Sequence, residues 1–212
     1  MTHPVVPVDQ RLRFIRHGAT ALNQAGLRCG GDLDVPLVAA GRAQVRHAVP
    51  SLARLQPALD LIITSDLRRT QETAHLIAQA LGGVRIVIEP GLSERRLGEW
   101  NGQPAAQTHA RLVAGETPPG GESDAEFNAR IRAALHRIRP LLGRQPLLVG
   151  SKGVARVLGE LAGLPGRLSV DNAALVVFDL AAMTWDAPAH RPAAAPPRAA
   201  AAGSQALAKA LT

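Results

Sequence analysis

Aromatic side chains are nearly absent from this chain of 212 residues, which has three Phe, two Trp and no Tyr. Single-stranded nucleic acid is usually held on aromatic platforms, so the composition disfavours that class of partner. The core has to be assembled from Leu, Val, Ile and Ala instead. Cysteine is almost as scarce: Cys29 stands alone, which excludes an intramolecular disulfide and any cysteine-based zinc site. A cytoplasmic location is the expectation that follows. No apolar stretch is long enough to span a bilayer, and the segment from Met1 to Arg11, with Pro4 and Pro7, lacks the apolar run of a signal peptide. A soluble protein is expected, with no membrane partner.

A basic block is missing too, although the formal charge is +7 and the isoelectric point is about 11.2. The positive residues are nearly all Arg and are scattered, and part of the excess lies beyond His190, at Arg191, Arg198 and Lys209. That distribution suits an Arg-rich protein with an anion-binding cleft better than one that binds nucleic acid. With 46% hydrophobic residues the chain can bury the core of one α/β domain, and a second full domain would be cramped.

Apolar patterning alternates between strand and helix. Leu12 to Ile15 reads as a buried strand ending at the turn Arg16-His17-Gly18. After a glycine-rich loop through Gly30 and Gly31, helical spacing recurs at Val45, Ala48, Val49, Leu52 and Leu55, with Pro50 expected to kink or restart the helix. Leu59 to Thr64 and Val84 to Ile88 are strand candidates flanking a helix whose Leu67, Ala74, Ile77, Ala78 and Leu81 share one face and which Gly82 and Gly83 stop. From Pro90 to Gly121 the chain is irregular, with at most one helix around Pro104 to Ala114, and loops of that length usually carry function. Ser123 and Glu126 have capping-box spacing ahead of a stripe of Phe127, Ile131, Leu135, Ile138 and Leu142. Leu147 to Gly150, Val154 to Leu161 and Ala174 to Leu180 complete the series as strand, helix and strand. The expected architecture is an α/β protein, a three-layer α/β/α sandwich on a mostly parallel central sheet. It would occupy residues 12–186, between an N-terminal extension (1–11) and an Ala/Pro-rich tail (187–212) expected to be mobile, with a short helix from Ser204 to Leu211 allowed.

The end of the first strand is where chemistry sits in an open α/β sheet. A phosphoryl group can be moved by attaching it first to a histidine nitrogen, which needs a nucleophile, a cationic clamp and a proton donor. Arginine suits the clamp because its planar fork pairs with phosphoryl oxygens and stays charged.

Arg16-His17-Gly18-Ala19-Thr20, followed by Asn23, resembles the R-H-G-x-T-x-x-N motif of the histidine phosphatase superfamily, also called phosphoglycerate mutase-like. The resemblance runs from about Leu12 to Leu180. It continues through Arg28, Gly31, Asp34-Val35-Pro36-Leu37, Gly41 and Gln44, and through Ser65-Asp66-Leu67-Arg68-Arg69-Thr70 with Glu72-Thr73-Ala74. Leu92-Ser93-Glu94 with Gly98, Trp100 and Gly102 is similar to another family segment, as are Gly121-Glu122-Ser123 and Asn172. The resemblance implies that His17 is the nucleophile, that Arg16 and Arg69 clamp the phosphoryl oxygens, and that Glu94 protonates the leaving group and then activates water. Asn23 and Arg28 would be secondary phosphate contacts. The rival reading of Glu94 is a solvated carboxylate paired with Arg95 or Arg96. Ser123 reads as a helix cap, and Glu122 is open between roles. No metal and no cofactor are implied.

One departure stands out. The family's segment V-[ST]-H-G-G-V-x-R supplies a second catalytic histidine, whereas this chain reads Val149-Gly150-Ser151-Lys152-Gly153-Val154-Ala155-Arg156. An ungapped match puts Ser151 at the histidine position and Lys152 at the next glycine; a one-residue deletion would put Lys152 there instead. The ungapped match is preferred, because a deletion would rotate the helix face carrying Val154, Val157, Leu158 and Leu161. Ser151 and Lys152 are both candidate phosphate contacts, and the loss of one such donor costs about 3 kcal/mol, or roughly a hundredfold in rate. Mutases of the family carry a longer insertion than the roughly nineteen residues between Gly102 and Glu122 here. The expected function is therefore a phosphomonoesterase acting on a small phosphorylated metabolite, as a monomer or homodimer. The alternative is a catalytically impaired phosphoryl-binding or regulatory protein of the same fold.

Overall fold

A computed structural model describes residues 11–165 and 168–183. The expectations for the N-terminal ten residues and for the tail beyond position 187 lie outside the described residues. Five strands, β1 (Arg11–Arg16), β2 (Leu61–Thr64), β3 (Arg85–Ile88), β4 (Leu147–Gly150) and β5 (Leu175–Asp179), form one sheet in the order β3-β2-β4-β1-β5. The first four are mutually parallel where they pair, and only β5 runs antiparallel, against β1.

Side chains alternate across a strand, and this alternation builds two cores. Leu12 and Phe14 of β1, Leu61 and Ile63 of β2 and Leu148 of β4 share one core with α5 (Asp124–Ile138) and α6 (Lys152–Leu161). Ile15, Ile62, Leu147 and Val149 face the other, with α2 (Ala39–Ala53) and α3 (Arg68–Ala80). Helices therefore cover both faces of a mostly parallel sheet, which is the three-layer α/β/α sandwich. β2 and β4 read as nearly continuous apolar runs because they are buried on both sides, whereas β1 carries the buried Arg13 and β3 is a partly exposed edge.

Two helices are short or lie outside the layers: α1 (Ala21–Gln24), which follows β1, and α4 (Ala105–Val113) in the long irregular segment. β2, β3 and β5 are shorter than expected by one or two residues, β1 is longer by one at each end, and β4 has the expected limits. The restart expected at Pro50 does not occur, since α2 continues through it to Ala53. Pro50 is exposed in the last turn, where water can satisfy the carbonyl that loses its amide partner. The Ser123–Glu126 capping box forms as expected, and α5 passes into a 3-10 turn at Arg139–Arg144 that carries Leu142 into the core.

Candidate active site

The site begins with the pairing of β1 and β4. Their register matches Arg16 with Gly150, and the His17 amide donates to the Gly150 carbonyl at 2.9 Å. His17 and Ser151 are thus neighbours one step beyond the paired strands. Both are buried, at 4% and 1% exposure.

The turn after β1 is pinned by close approach. A Cβ on Gly18 would lie 2.4 Å from the Gly41 carbonyl oxygen, and one on Gly41 would lie 2.1 Å from that of Ala19, so this contact between the turn and α2 requires glycine on both sides. The Gly18 amide donates to Thr73 and the Ala19 amide to Gln44. His17 Nδ1 lies 2.7 Å from the Gly18 carbonyl oxygen. A carbonyl can only accept, so Nδ1 carries the proton and Nε2 keeps its lone pair. Burial, then the fields of Arg69 and Arg16, push the imidazole pKa down to about 3 against the smaller opposing effect of the Gly18 hydrogen bond. The ring is neutral across the physiological range.

Both arginines have hydrogen-bonding capacity left over. Arg69, in the first turn of α3, is fully buried; Nη1 donates to the Leu33 carbonyl and Nη2 to that of Gly30, and Nε has no partner. Arg16 donates through Nη1 to the Val170 carbonyl, and its Nε is likewise buried without a partner. Neither forms an ion pair among the described residues. Two desolvated guanidinium groups beside a neutral imidazole make an anion-attracting environment. The motif around Arg69 explains itself locally: Ser65, Thr70 and Thr73 hydroxyls close the β2–α3 turn through bonds to one another and to the Leu67 and Arg69 carbonyls.

Glu94 arrives from the irregular segment. Its carboxylate accepts from the Arg95 amide at 2.7 Å and from the Gly153 amide at 2.9 Å, which ties it to the first turn of α6. The suggested pairing with the Arg95 or Arg96 side chain does not form. Arg95 instead reaches Asp124 and the carbonyls of Glu122 and Glu116. Behind Glu94, Arg130 donates to the carbonyls of Gly91, Ser93 and Glu94 and holds Glu122 through both of that carboxylate's oxygens, at 2.9 and 2.7 Å. Glu122, left open by the sequence, is therefore a buried anchor of the Glu94 loop, and Ser123 is a helix cap.

A cleft of about 490 Å³ opens over these groups, and Arg16, His17, Asn23, Arg28, Glu94 and Lys152 all line it. Arg69 and Ser151 are not among its lining residues; both are fully or almost fully buried. Asn23 completes a capping box with Thr20 and also accepts from Asn172, whose amide group donates to the His17 carbonyl. Arg28 is fastened to α4 through the Thr108 hydroxyl and the Ala105 carbonyl. Ser151 is the N-cap residue of α6, yet its hydroxyl makes no capping bond and has no partner. Lys152, the first helical residue, is exposed, and partial burial followed by the nearby Arg16 and Arg28 lowers its pKa.

Sequence reasoning missed the Thr20–Asn23 box and the Arg130 anchor. The first had a local signal in the T-x-x-N spacing; the second depends on a contact between α5 and a distant loop. Among the described residues no cluster of three or more His, Cys, Asp or Glu is placed to hold a metal, and no helix is long and apolar enough to cross a membrane.

Strand-end histidine, flanking arginines and tethered glutamate are features of one protein class, and the chain belongs to the histidine phosphatase superfamily (branch 1), which it matches over residues 12–190. Among curated proteins it is 38% identical over 189 residues to the probable phosphoglycerate mutase GpmB of Yersinia enterocolitica, covering 81% of this chain and 86% of that one. Among solved structures it resembles a mycobacterial glucosyl-3-phosphoglycerate phosphatase, with a TM-score of 0.68 and 31% identity over 79% of this chain and 90% of that one. It also resembles a putative alpha-ribazole-5'-P phosphatase from Escherichia coli, with a TM-score of 0.65 and 27% identity over 79% and 89% of the two chains.

Proposed function

We propose that the protein is a phosphomonoesterase that hydrolyses a small phosphorylated metabolite through a phosphohistidine at His17. The observation that carries this reading is the state of the imidazole: neutral, with Nδ1 committed to Gly18 and the Nε2 lone pair left free. Nε2 attacks phosphorus as the ester bond breaks, and Glu94 in its acid form gives its proton to the departing oxygen. Glu94 then takes a proton from water, whose oxygen displaces the histidine and releases phosphate. The unpartnered Nε groups of Arg16 and Arg69 bind the phosphoryl oxygens, and Asn23 contributes from the rim. The ungapped match puts Ser151 at the position of the family's second histidine, and in register it follows Gly150 as His17 follows Arg16; a hydroxyl is a neutral and shorter donor, so slow turnover is part of the proposal.

Hydrolysis is favoured over phosphoryl shift within the substrate by the short segment that covers the cleft, whose only helix is the nine-residue α4. A soluble cytoplasmic protein acting alone or as a homodimer is in keeping with this reading. One observation favours a second reading, an impaired phosphoryl-binding protein: the Ser151 hydroxyl, buried without a partner, supplies no charge at the strand end. Phosphate release from an aryl phosphate separates the two. The wild type is expected to exceed His17→Ala by at least about a thousandfold. Equal rates in both proteins would leave only the binding module.

A further inference from the structure

Asn172 has no task in the hydrolytic scheme, yet it stands where the turn before β5 meets the turn after β1. Arg16 and His17 are clasped from that side. The Arg16 amide donates to the Ala174 carbonyl, the Ala173 amide donates to the carbonyls of Arg16 and His17, and Arg16 Nη1 reaches the Val170 carbonyl. Ala173 takes a left-handed conformation, with a φ of 58°, where it presents that amide. Such a backbone persists in a residue with a Cβ only when its surroundings hold it there. Within this clasp Asn172 Nδ2 donates to the His17 carbonyl at 2.9 Å and to Asn23 Oδ1 at 3.3 Å.

The orientation of both side-chain amides follows from their neighbours. A backbone carbonyl only accepts, so the end of Asn172 that meets His17 is its NH2 group. A backbone amide only donates, so the end of Asn23 that takes the Thr20 amide is its oxygen. That oxygen serves Thr20 and Asn172 together. The Asn23 NH2 group, with no hydrogen bond among the described residues, is the end left over for the cleft that Asn23 lines. Asn172 lines the same cleft but has nothing to give an anion there, because both its hydrogens are committed and its remaining polar atom is an acceptor.

Resting on the reading of His17, Arg16 and Arg69 as the phosphoryl site, we infer that Asn172 is a positioning residue for it. It locks the Asn23 amide with the NH2 end toward the transferred phosphoryl group and ties that donor to the backbone of the nucleophile. Without it Asn23 Oδ1 is held by the Thr20 amide alone, at 3.2 Å, and the donor is no longer fixed relative to His17.

Calorimetric titration of the full chain with inorganic phosphate, the smallest probe of that pocket, tests this without needing turnover. Asn23→Ala and Asn172→Ala should each weaken phosphate binding roughly tenfold, the worth of a hydrogen bond to a charged group. The double variant should be no more than about twofold weaker than either single one, because both changes remove the same donor. Unchanged affinity in Asn172→Ala, or losses that multiply in the double variant, overturns the inference. A merely structural asparagine would lower the urea midpoint and leave the affinity of the folded protein alone. If Asn172→Ala does not fold, side-chain amide exchange in the wild type decides: both Asn172 hydrogens should exchange at least about tenfold more slowly than those of a free asparagine amide. Exchange of either at the free rate overturns the inference as well. No phosphate binding by the wild type would sink the phosphoryl pocket and this inference together. The expected coupling in a protein that releases no phosphate from an aryl ester would sink hydrolysis and leave the role of Asn172 standing.

Discussion

The two strand ends that meet at the site are built to different standards. After β1, the polar groups of the turn are largely matched: His17 Nδ1 to Gly18, the Gly18 amide to Thr73, the Ala19 amide to Gln44, and Thr20 to Asn23 in a capping box. After β4, Ser151 has a buried hydroxyl with no partner and Lys152 has no ion pair among the described residues. The difference teaches that the cradle of His17 is fixed by turn amides bonded to the side chains of Thr73, Gln44 and Asn23, together with the close approach of Gly18 and Gly41. At the neighbouring strand end the buried group is an unpartnered hydroxyl, and the cation, Lys152, is exposed.

The largest expected effect sharpens that contrast. Ser151→His would return an imidazole next to His17, and kcat toward an aryl phosphate should rise by roughly a hundredfold, about 3 kcal/mol. An unchanged rate would mean that the two strand ends do not cooperate. Next comes acid sensitivity at the β1 end. The folded-state pKa of His17 is depressed to about 3 from an ordinary 6.5, so between those values the unfolded chain binds a proton that the folded chain does not. Stability is complete above about pH 6.5 and is lost as pH falls toward 3. Between pH 7 and 5 the wild type should lose about 2 kcal/mol more than His17→Gln in urea unfolding, and parallel losses would contradict the buried neutral ring.

The smallest effects compare one substitution at both ends. Gly18→Ala forces a Cβ against the backbone of Gly41, which cannot move away cheaply, so unfolding free energy should drop on the order of 1–2 kcal/mol. Gly153→Ala brings a Cβ to 2.1 Å from Glu94 Oε1, the end of a side chain that can swing aside. Stability there should hold, since alanine favours the helix, and kcat should fall about tenfold as Glu94 is displaced. Loss of stability at position 153 with unaltered kcat would reverse the distinction.

Much of this was legible in the sequence because it is periodic or local. The apolar runs of β2 and β4, the stripe on α5 and the Ser123–Glu126 box all declare themselves within a few residues. Pro50 misled because the cost of a proline depends on whether solvent can reach the abandoned carbonyl, which is a tertiary fact. Glu94 was visible as a residue but not as a carboxylate tethered to the first turn of α6, and the three carbonyls held by Arg130 carry no pattern in the chain at all. The same applies to Arg69, whose partners are the backbone oxygens of Gly30 and Leu33 rather than any acidic side chain.

Mixing the protein with an aryl phosphate, quenching in alkali and mapping the phosphoryl group by peptide mass spectrometry tests the central claim most directly. The account predicts an acid-labile, alkali-stable phosphoryl on the peptide containing His17, absent from His17→Ala. Steady hydrolysis with no phosphorylated His17 at any time point, or a phosphoryl group trapped on another residue, would contradict it.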